Sequence, residues 1–279
     1  MRTILVVLAH PDDESFGMGG TLALYASQGA SVHLLCATRG EVGKVDPAYL
    51  KGFESIAALR ESELRCAAKQ LRLRSLVFLG FRDSGMAGSP HNGHPDAFIR
   101  QAVAEVAGHV VKHIRNLKPN VVLTFDPSGV YGHPDHIHIH NATVLAFAKA
   151  GDPSFFPDNG EPFAPQALYY HVASQRILKI AVRIMPLLGM DPRRSGRNRN
   201  IDLTQIVADL PIHVRVNIHP VSRLRDAARA CHASQGGIQF GHSVFGRLSK
   251  ILGESDQFTR AFPELPDDRK VRNDLFDFA

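Results

Sequence analysis

Two short stretches of this 279-residue chain bring together side chains that bind a metal ion and acidify water. The first reads His10-Pro11-Asp12-Asp13-Glu14 and the second His133-Pro134-Asp135-His136. Imidazole nitrogens and carboxylate oxygens suit a divalent cation. One Asp and one His of the first stretch can supply two ligands, and the second stretch can supply a third. Two His and one carboxylate leave a position open for water, whose pKa such a centre lowers to about 7, as a hydrolytic zinc site requires. The glycines that follow, Gly17 and Gly19-Gly20, suggest a dinucleotide loop. The three carboxylates beside them would repel a pyrophosphate, which needs bare backbone N–H groups at the helix start.

These stretches need a scaffold that sets them side by side. Thr3 to Ala9 is an apolar, β-branched run without polar alternation, as in a strand buried on both faces at the middle of a parallel sheet. Thr21 to Gln28 reads as a helix capped by Gly29, and Ser31 to Cys36 as the next strand, which completes a βαβ unit. The alternation continues with helix Ser55–Leu71, strand Ser75–Leu79, helix Ala97–Leu117, strand Asn120–Phe125 and a helix from His133 to Lys149. This order predicts an α/β fold, with a Rossmann-like, mostly parallel sheet and helices on both faces. Ligands of such sheets bind beyond the carboxyl ends of the strands, where both stretches lie. The Pro- and Gly-rich stretch Gly151–Pro165 reads as a boundary. A catalytic core over residues 1–165 is therefore expected, with an irregular C-terminal part over 166–279 that completes the cleft within one structural domain. In that part Ala167–Val172 and Ile212–Val216 read as strands and Ser222–Ser234 as a helix.

Composition narrows the function classes. With 44% hydrophobic residues and a formal charge of +5, the chain is an ordinary globular one, which excludes disorder, collagen and coiled coil. Much of the positive excess sits in one run, Arg193, Arg194, Arg197 and Arg199, without interleaved aromatics, so no nucleic-acid partner is expected. Ile4–Ala9 is too short and wrongly flanked for a signal peptide, and no segment reaches the length of a membrane span. Ile177–Gly189 reads as a lid or packing helix, cut short by Pro186 and Gly189, in preference to a membrane-surface helix. Cys36, Cys66 and Cys231 form no CxxC pair, so neither a disulfide framework nor a cysteine zinc site is expected and the cysteines read as inert. A cytoplasmic location follows.

With these residues in view, the sequence resembles the LmbE-like (PIG-L type) zinc-dependent de-N-acetylases. Their signatures AHPDDE and HPDH are both intact, as Ala9–Glu14 and His133–His136. Phe81-Arg82-Asp83-Ser84-Gly85-Met86, Tyr131-Gly132 and His232-Ala233-Ser234-Gln235 resemble the branch of GlcNAc-inositol deacetylases and thiol-conjugate amidases of the mycothiol pathway, so the likeness spans most of the chain. The resemblance implies one Zn2+ per chain, or another divalent ion such as Fe2+, held by His10, Asp13 and His136, with Asp12 as general base. Neighbouring side chains in a loop point apart, which agrees with Asp13 ligating while Asp12 stays free. His133, held protonated by Asp135, is expected to stabilise the oxyanion with help from Tyr131. Arg60 and Asp83 match sugar-contacting residues, and Glu41 and Gln235 are expected further out. The implied activity is removal of an N-acyl group, most simply acetyl, from an aminosugar-containing small molecule. The alternatives are an amidase acting on a thiol-sugar conjugate and a metal-dependent phosphoesterase. The resemblance leaves a homo-oligomer open.

Rival readings of single residues are weaker. His136 and His140 have the spacing of a zincin pair, but Ile137 stands where a zincin needs its Glu base. His94-Pro95-Asp96 lacks a following His and reads as a helix entry.

Overall fold

The computed structural model describes residues 2–173, 175–195, 201–206, 210–240, 254–265 and 270–278. In chain order the first half holds β1 (Thr3–Leu8), α1 (Gly19–Ser27), β2 (Ser31–Thr38), α2 (Ile56–Gln70), β3 (Ser75–Phe81), α3 (Val103–Leu117), β4 (Val121–Phe125), the single turn α4 (Gly129–Gly132) and α5 (Pro134–Lys149). The second half holds β5 (Ala167–Val172), α6 (Gln175–Ile184), β6 (Val214–Asn217), α7 (Ser222–Cys231), the short α8 (Gly237–Phe240) and β7 (Ser255–Phe262). The strands form one sheet in the order β3-β2-β1-β4-β5-β7-β6. β1 to β5 run parallel, and β7 lies antiparallel between β5 and β6.

β1 is apolar from Ile4 to Leu8 because it is covered on both faces. It lies between β2 and β4, and every one of its residues is buried. α3 packs with α5, and α1 and α2 pack with α7, as right-handed crossovers place them on opposite faces. The strand order reverses between β1 and β4, since the chain leaves β1 towards β2 and β3 and returns to β4 on the other side. A crevice opens at such a reversal beyond the carboxyl ends, and the His10 and His133 stretches both end there.

The expected fold class holds, while the C-terminal part is more regular than its sequence suggests. β7 extends the sheet even though Asp256, Gln257, Thr259 and Arg260 make it read as a loop. All four are buried, with partners that include the backbone N and Oγ1 of Thr21, each donating to Asp256 Oδ2 at 2.8 Å. α1 has no side-chain cap of its own, so a residue 235 positions away satisfies an amide in its first turn. The third helix begins later than expected, at Val103. Before it, Phe98 is buried between the rings of Phe81 and His138, and its N–H donates to the carbonyl of Arg82 at 2.8 Å, which ties that turn to the end of β3.

Segment 177–189 forms most of α6 and a 3-10 turn, Met185–Leu188. Leu178, Ala181 and Met185 are buried, whereas Leu187 and Leu188 face outward. Arg197 and Arg199 of the basic run lie outside the described residues. No helix among the described residues is long and apolar enough to cross a membrane.

The cysteine expectation is overturned. Cys66 of α2 and Cys231 at the end of α7 form a disulfide, while Cys36 is free and buried. Spacing could not reveal the pair, because two helices 165 residues apart meet only in the fold. The cystine also removes the cysteine-based argument for a reducing compartment. Thiol titration of the unfolded, unreduced chain is expected to find Cys36 alone. Cys66→Ser is expected to lower the unfolding free energy by about 2–4 kcal/mol in denaturant titrations.

Candidate metal centre at the carboxyl ends of the strands

Four strand ends build the site. The loop after β1 carries His10 to Glu14, those after β2 and β3 carry Glu41 and Asp83, and α4 and α5 after β4 carry Tyr131 to His136. The first loop turns sharply. Asp12 has φ 133°, the N–H groups of Ser15 and Phe16 donate to its carbonyl, and residues Glu14–Met18 continue as a π-helical turn, a distortion often found at functional sites. Past β4, Pro134 opens α5, and His133 caps the helix by accepting from the N–H of Asp135 at 3.2 Å.

His10, Asp13 and His136 converge. His10 Nδ1 lies 3.1 Å from His136 Nε2, Asp13 Oδ1 is 3.2 Å from His136 Nε2, and Asp13 Oδ2 is 3.6 Å from His10 Nδ1. Asp13 thus faces each histidine with a different oxygen. His136 presents Nε2 because its Nδ1–H donates to the carbonyl of Gly129 at 3.2 Å and its ring stacks on Phe125 at 4.0 Å. His10 turns Nε2 to Asp135 at 3.2 Å and to Asp83 at 3.5 Å. A second contact on the far nitrogen fixes tautomer and orientation in metal-binding histidines. Potential ligand atoms also cluster as His10, His133 and His136 and as His10, Asp83 and Asp135, each set within 4.8 Å. Asp135 Oδ1 is buried with no partner. Two imidazole nitrogens, a carboxylate and an excess of buried acids fit a divalent cation, with His10 in every grouping.

Electrostatics follow from this crowding. Burial pulls His10 down, but hydrogen bonds to Asp13, Asp135 and Asp83 outweigh it and hold the imidazole well above its ordinary pKa. Burial likewise works against Asp13 ionising, yet the two histidines hold its carboxyl well below the usual range. Asp12 goes the other way and is pushed up to about 6, by burial first and by the charge of Asp13, against the pull of Arg60. Burial raises the Tyr131 hydroxyl, and the charge of Asp13 adds to it. Its ring stands 5.2 Å from His136 and 6.1 Å from His133.

One expected pairing is absent from the structure. Asp135 does not hold His133 protonated, because its Oδ2 accepts from the N–H of Ser84 at 3.0 Å and faces His10. His133 uses Nδ1 as an acceptor at the helix start, and burial together with the charges of His10 and His136 pushes it down to about 2. With Nδ1 so engaged, Nε2 is the nitrogen left to donate. Gln235 donates from Nε2 to Ser234 Oγ at 3.0 Å. His232 is the residue of that stretch that reaches the first loop, with Nε2 2.8 Å from Glu14 Oε1. Neither Glu14 nor His232 stood out in the sequence as a functional residue, although both lie inside quoted motifs.

Arg60 sits beneath Asp12. Its guanidinium donates to Asp12 Oδ2 at 3.0 Å and to the carbonyls of Pro11 at 2.6 Å and Gly40 at 3.0 Å. Asp83 accepts from the N–H of Gly85 at 2.8 Å and of Val42 at 3.3 Å, and its own N–H donates to Glu41 Oε1 at 3.2 Å. Burial disfavours the ionised Asp83, but contact with His10 holds it well below the usual range. Glu41 Oε2 is buried without a partner. Glu41 also lines a cavity of about 450 Å³ together with Phe81, Arg82, His94, Asp96 and Gln101.

Gly40 has φ +65°, and a Cβ there would lie 2.0 Å from Arg60 Nη1. Gly40→Ala must displace the guanidinium from Asp12. It is expected to destabilise the fold by more than about 1 kcal/mol and to lower turnover while bound metal is retained, as thermal melting, metal analysis and initial rates would read.

A Rossmann-like sheet with a cluster of histidines and acids that could hold a metal ion at its switch point is the frame of the site. Residues 5–147 match the family model described as PIG-L, GlcNAc-PI de-N-acetylase, and the chain belongs to that family. It is an N-deacetylase. The chain is 35% identical over 262 residues to a 1D-myo-inositol 2-acetamido-2-deoxy-alpha-D-glucopyranoside deacetylase of Geodermatophilus obscurus, covering 91% of this chain and 88% of the relative. It is 42% identical to the protein of the same name from Streptomyces scabiei, covering 90% of this chain and 80% of the relative. Among solved structures it resembles the N,N'-diacetylchitobiose deacetylase of Pyrococcus horikoshii with a TM-score of 0.64 at 20% identity, covering 95% and 84% of the two chains. That likeness is one of fold.

Proposed function

We propose that this enzyme removes the acetyl group from an N-acetylglucosamine conjugate, with a zinc ion held by His10, Asp13 and His136. The observation that carries the reading is the convergence of His10 Nδ1, His136 Nε2 and both oxygens of Asp13, with the Asp12 carboxylate held beside them. Zinc, when bound, supplies a Lewis acid that acidifies water and polarises the amide carbonyl. The remaining work falls to protein groups. Asp12 accepts the proton of water as its oxygen attacks the acetyl carbon, and returns a proton to the departing nitrogen as the C–N bond breaks. The products are a free amine and acetate. His133, neutral with Nε2–H free, donates to the carbonyl oxygen as charge builds there, and the raised pKa of Tyr131 keeps its hydroxyl a donor to the same oxygen. Asp135 holds His10, and Arg60 holds Asp12 in place. Asp83 and Glu41 accept from sugar hydroxyls, with the cavity beside Glu41 taking the rest of the substrate.

The names of the two bacterial relatives point to an N-acetylglucosaminyl-inositol as the conjugate, a small polar molecule. The test is release of primary amine from a panel of N-acetylglucosamine conjugates, including the inositol glycoside, by protein of known metal content. Chelator-sensitive amine release that is fastest on the inositol glycoside is expected. Amine release that is unaffected by chelator would overturn the metal assignment, and equal rates across the panel would overturn the substrate.

A further inference from the structure

Glu14 and His232 take no part in the chemistry above, yet both are buried and their contact joins the first loop to a segment 218 residues away. His232 Nε2–H donates to Glu14 Oε1 at 2.8 Å, and its Nδ1 has no partner among the described residues. Ser15 Oγ donates to the same Glu14 oxygen at 2.5 Å. The other oxygen, Oε2, accepts from the backbone N–H of Asp12 at 3.1 Å. That backbone has φ 133°, a strained conformation that persists only where the surroundings enforce it.

Asp12 is thus held twice, with Arg60 of α2 gripping its carboxylate and Glu14 its strained backbone. His232 is itself anchored from both sides. The residue before it, Cys231, is bridged to Cys66 of α2, and Ser234 donates from its backbone N and from Oγ to the carboxylate of Glu63 on the same helix, each at 2.7 Å.

We propose that Glu14 and His232 are a positioning pair for the general base: His232 orients the Glu14 carboxylate, and that carboxylate holds the Asp12 backbone in the conformation that aims its side chain at the reacting water. The proposal rests on the reading of Asp12 as the base. It assigns to the C-terminal part of the chain a share in turnover that does not involve touching the substrate or the metal.

The test compares His232→Ala, His232→Gln and Asp12→Asn singly and the two His232 changes in the Asp12→Asn background, all as metal-loaded full-length protein. His232→Ala is expected to lower kcat by about 10- to 100-fold, with KM and zinc content unchanged. Gln places an amide nitrogen where the imidazole Nε2 stood, so His232→Gln is expected to recover most of the loss. In the Asp12→Asn background, where the residual rate no longer uses the base, His232→Ala is expected to cost at most about threefold more. The same cost in both backgrounds would overturn the proposal, as would loss of zinc in step with kcat or a His232→Gln protein no better than His232→Ala. Full activity in Asp12→Asn would instead overturn the base assignment, and the proposal with it, whatever the His232 variants do.

Discussion

Asp12→Asn is expected to lower kcat on the acetylated substrate by about 10²- to 10⁴-fold while leaving zinc content and melting temperature close to those of the unaltered protein. The geometry separates Asp12 from its neighbour. Asp13 spends both oxygens on His10 and His136, whereas Asp12 turns to Arg60 and Pro11 carries the intervening carbonyl. Asn has nearly the shape of Asp and keeps an oxygen for Arg60 Nη2, so the loop has no reason to move. What it loses is the capacity to take a proton. Rate measurements alongside metal analysis decide the matter: a metal-free Asp12→Asn protein would make Asp12 a ligand, and an active one would place the base elsewhere.

His136→Ala is expected to abolish metal binding and turnover together. Its ring is buried, aimed by the contact of Nδ1–H with Gly129 and by the stacked Phe125 ring. Losing a Lewis acid worth several kcal/mol lowers the rate by at least about 10³-fold. Chelation of the unaltered enzyme should give the same loss, but reversibly. Added Zn2+ should then restore the rate and raise the melting temperature, since a ligand that binds only the folded state stabilises it. In His136→Ala neither should respond. A zinc-dependent rise in melting temperature that survives in His136→Ala would move the metal to the His10, Asp83 and Asp135 grouping.

The parts of the molecule legible in the sequence are those that local pattern dictates. β1, β2 and β4 announce themselves because a strand covered on both faces is dominated by apolar and β-branched residues without polar alternation. The donor residues His10, Asp13 and His136 are legible because the chemistry demands particular residue types, and a parallel α/β sheet carries the loops after its strands to one edge. Proline at the start of α5 and serine at the cap of α2, where Ser55 accepts from the N–H of Ala58, mark helix starts by a mechanism that acts within a few residues.

The tertiary structure decided which group faces which. Asp135 lies within two residues of His133, yet it serves His10, because the helix start uses His133 Nδ1 as a cap and turns the carboxylate towards β1. β7 was illegible because its polar side chains find partners in the fold, Asp256 at Thr21 and Arg260 at the backbone carbonyl of Asp277, so its polarity says nothing of its exposure. The Cys66–Cys231 bridge and the Glu14–His232 contact depend on α7 packing against α1 and α2. Local sequence thus determined the donors and the strands that carry them. Pairing between residues more than a hundred positions apart was set only by the fold, because such contacts depend on where a side chain arrives in space and leave no periodic trace along the chain.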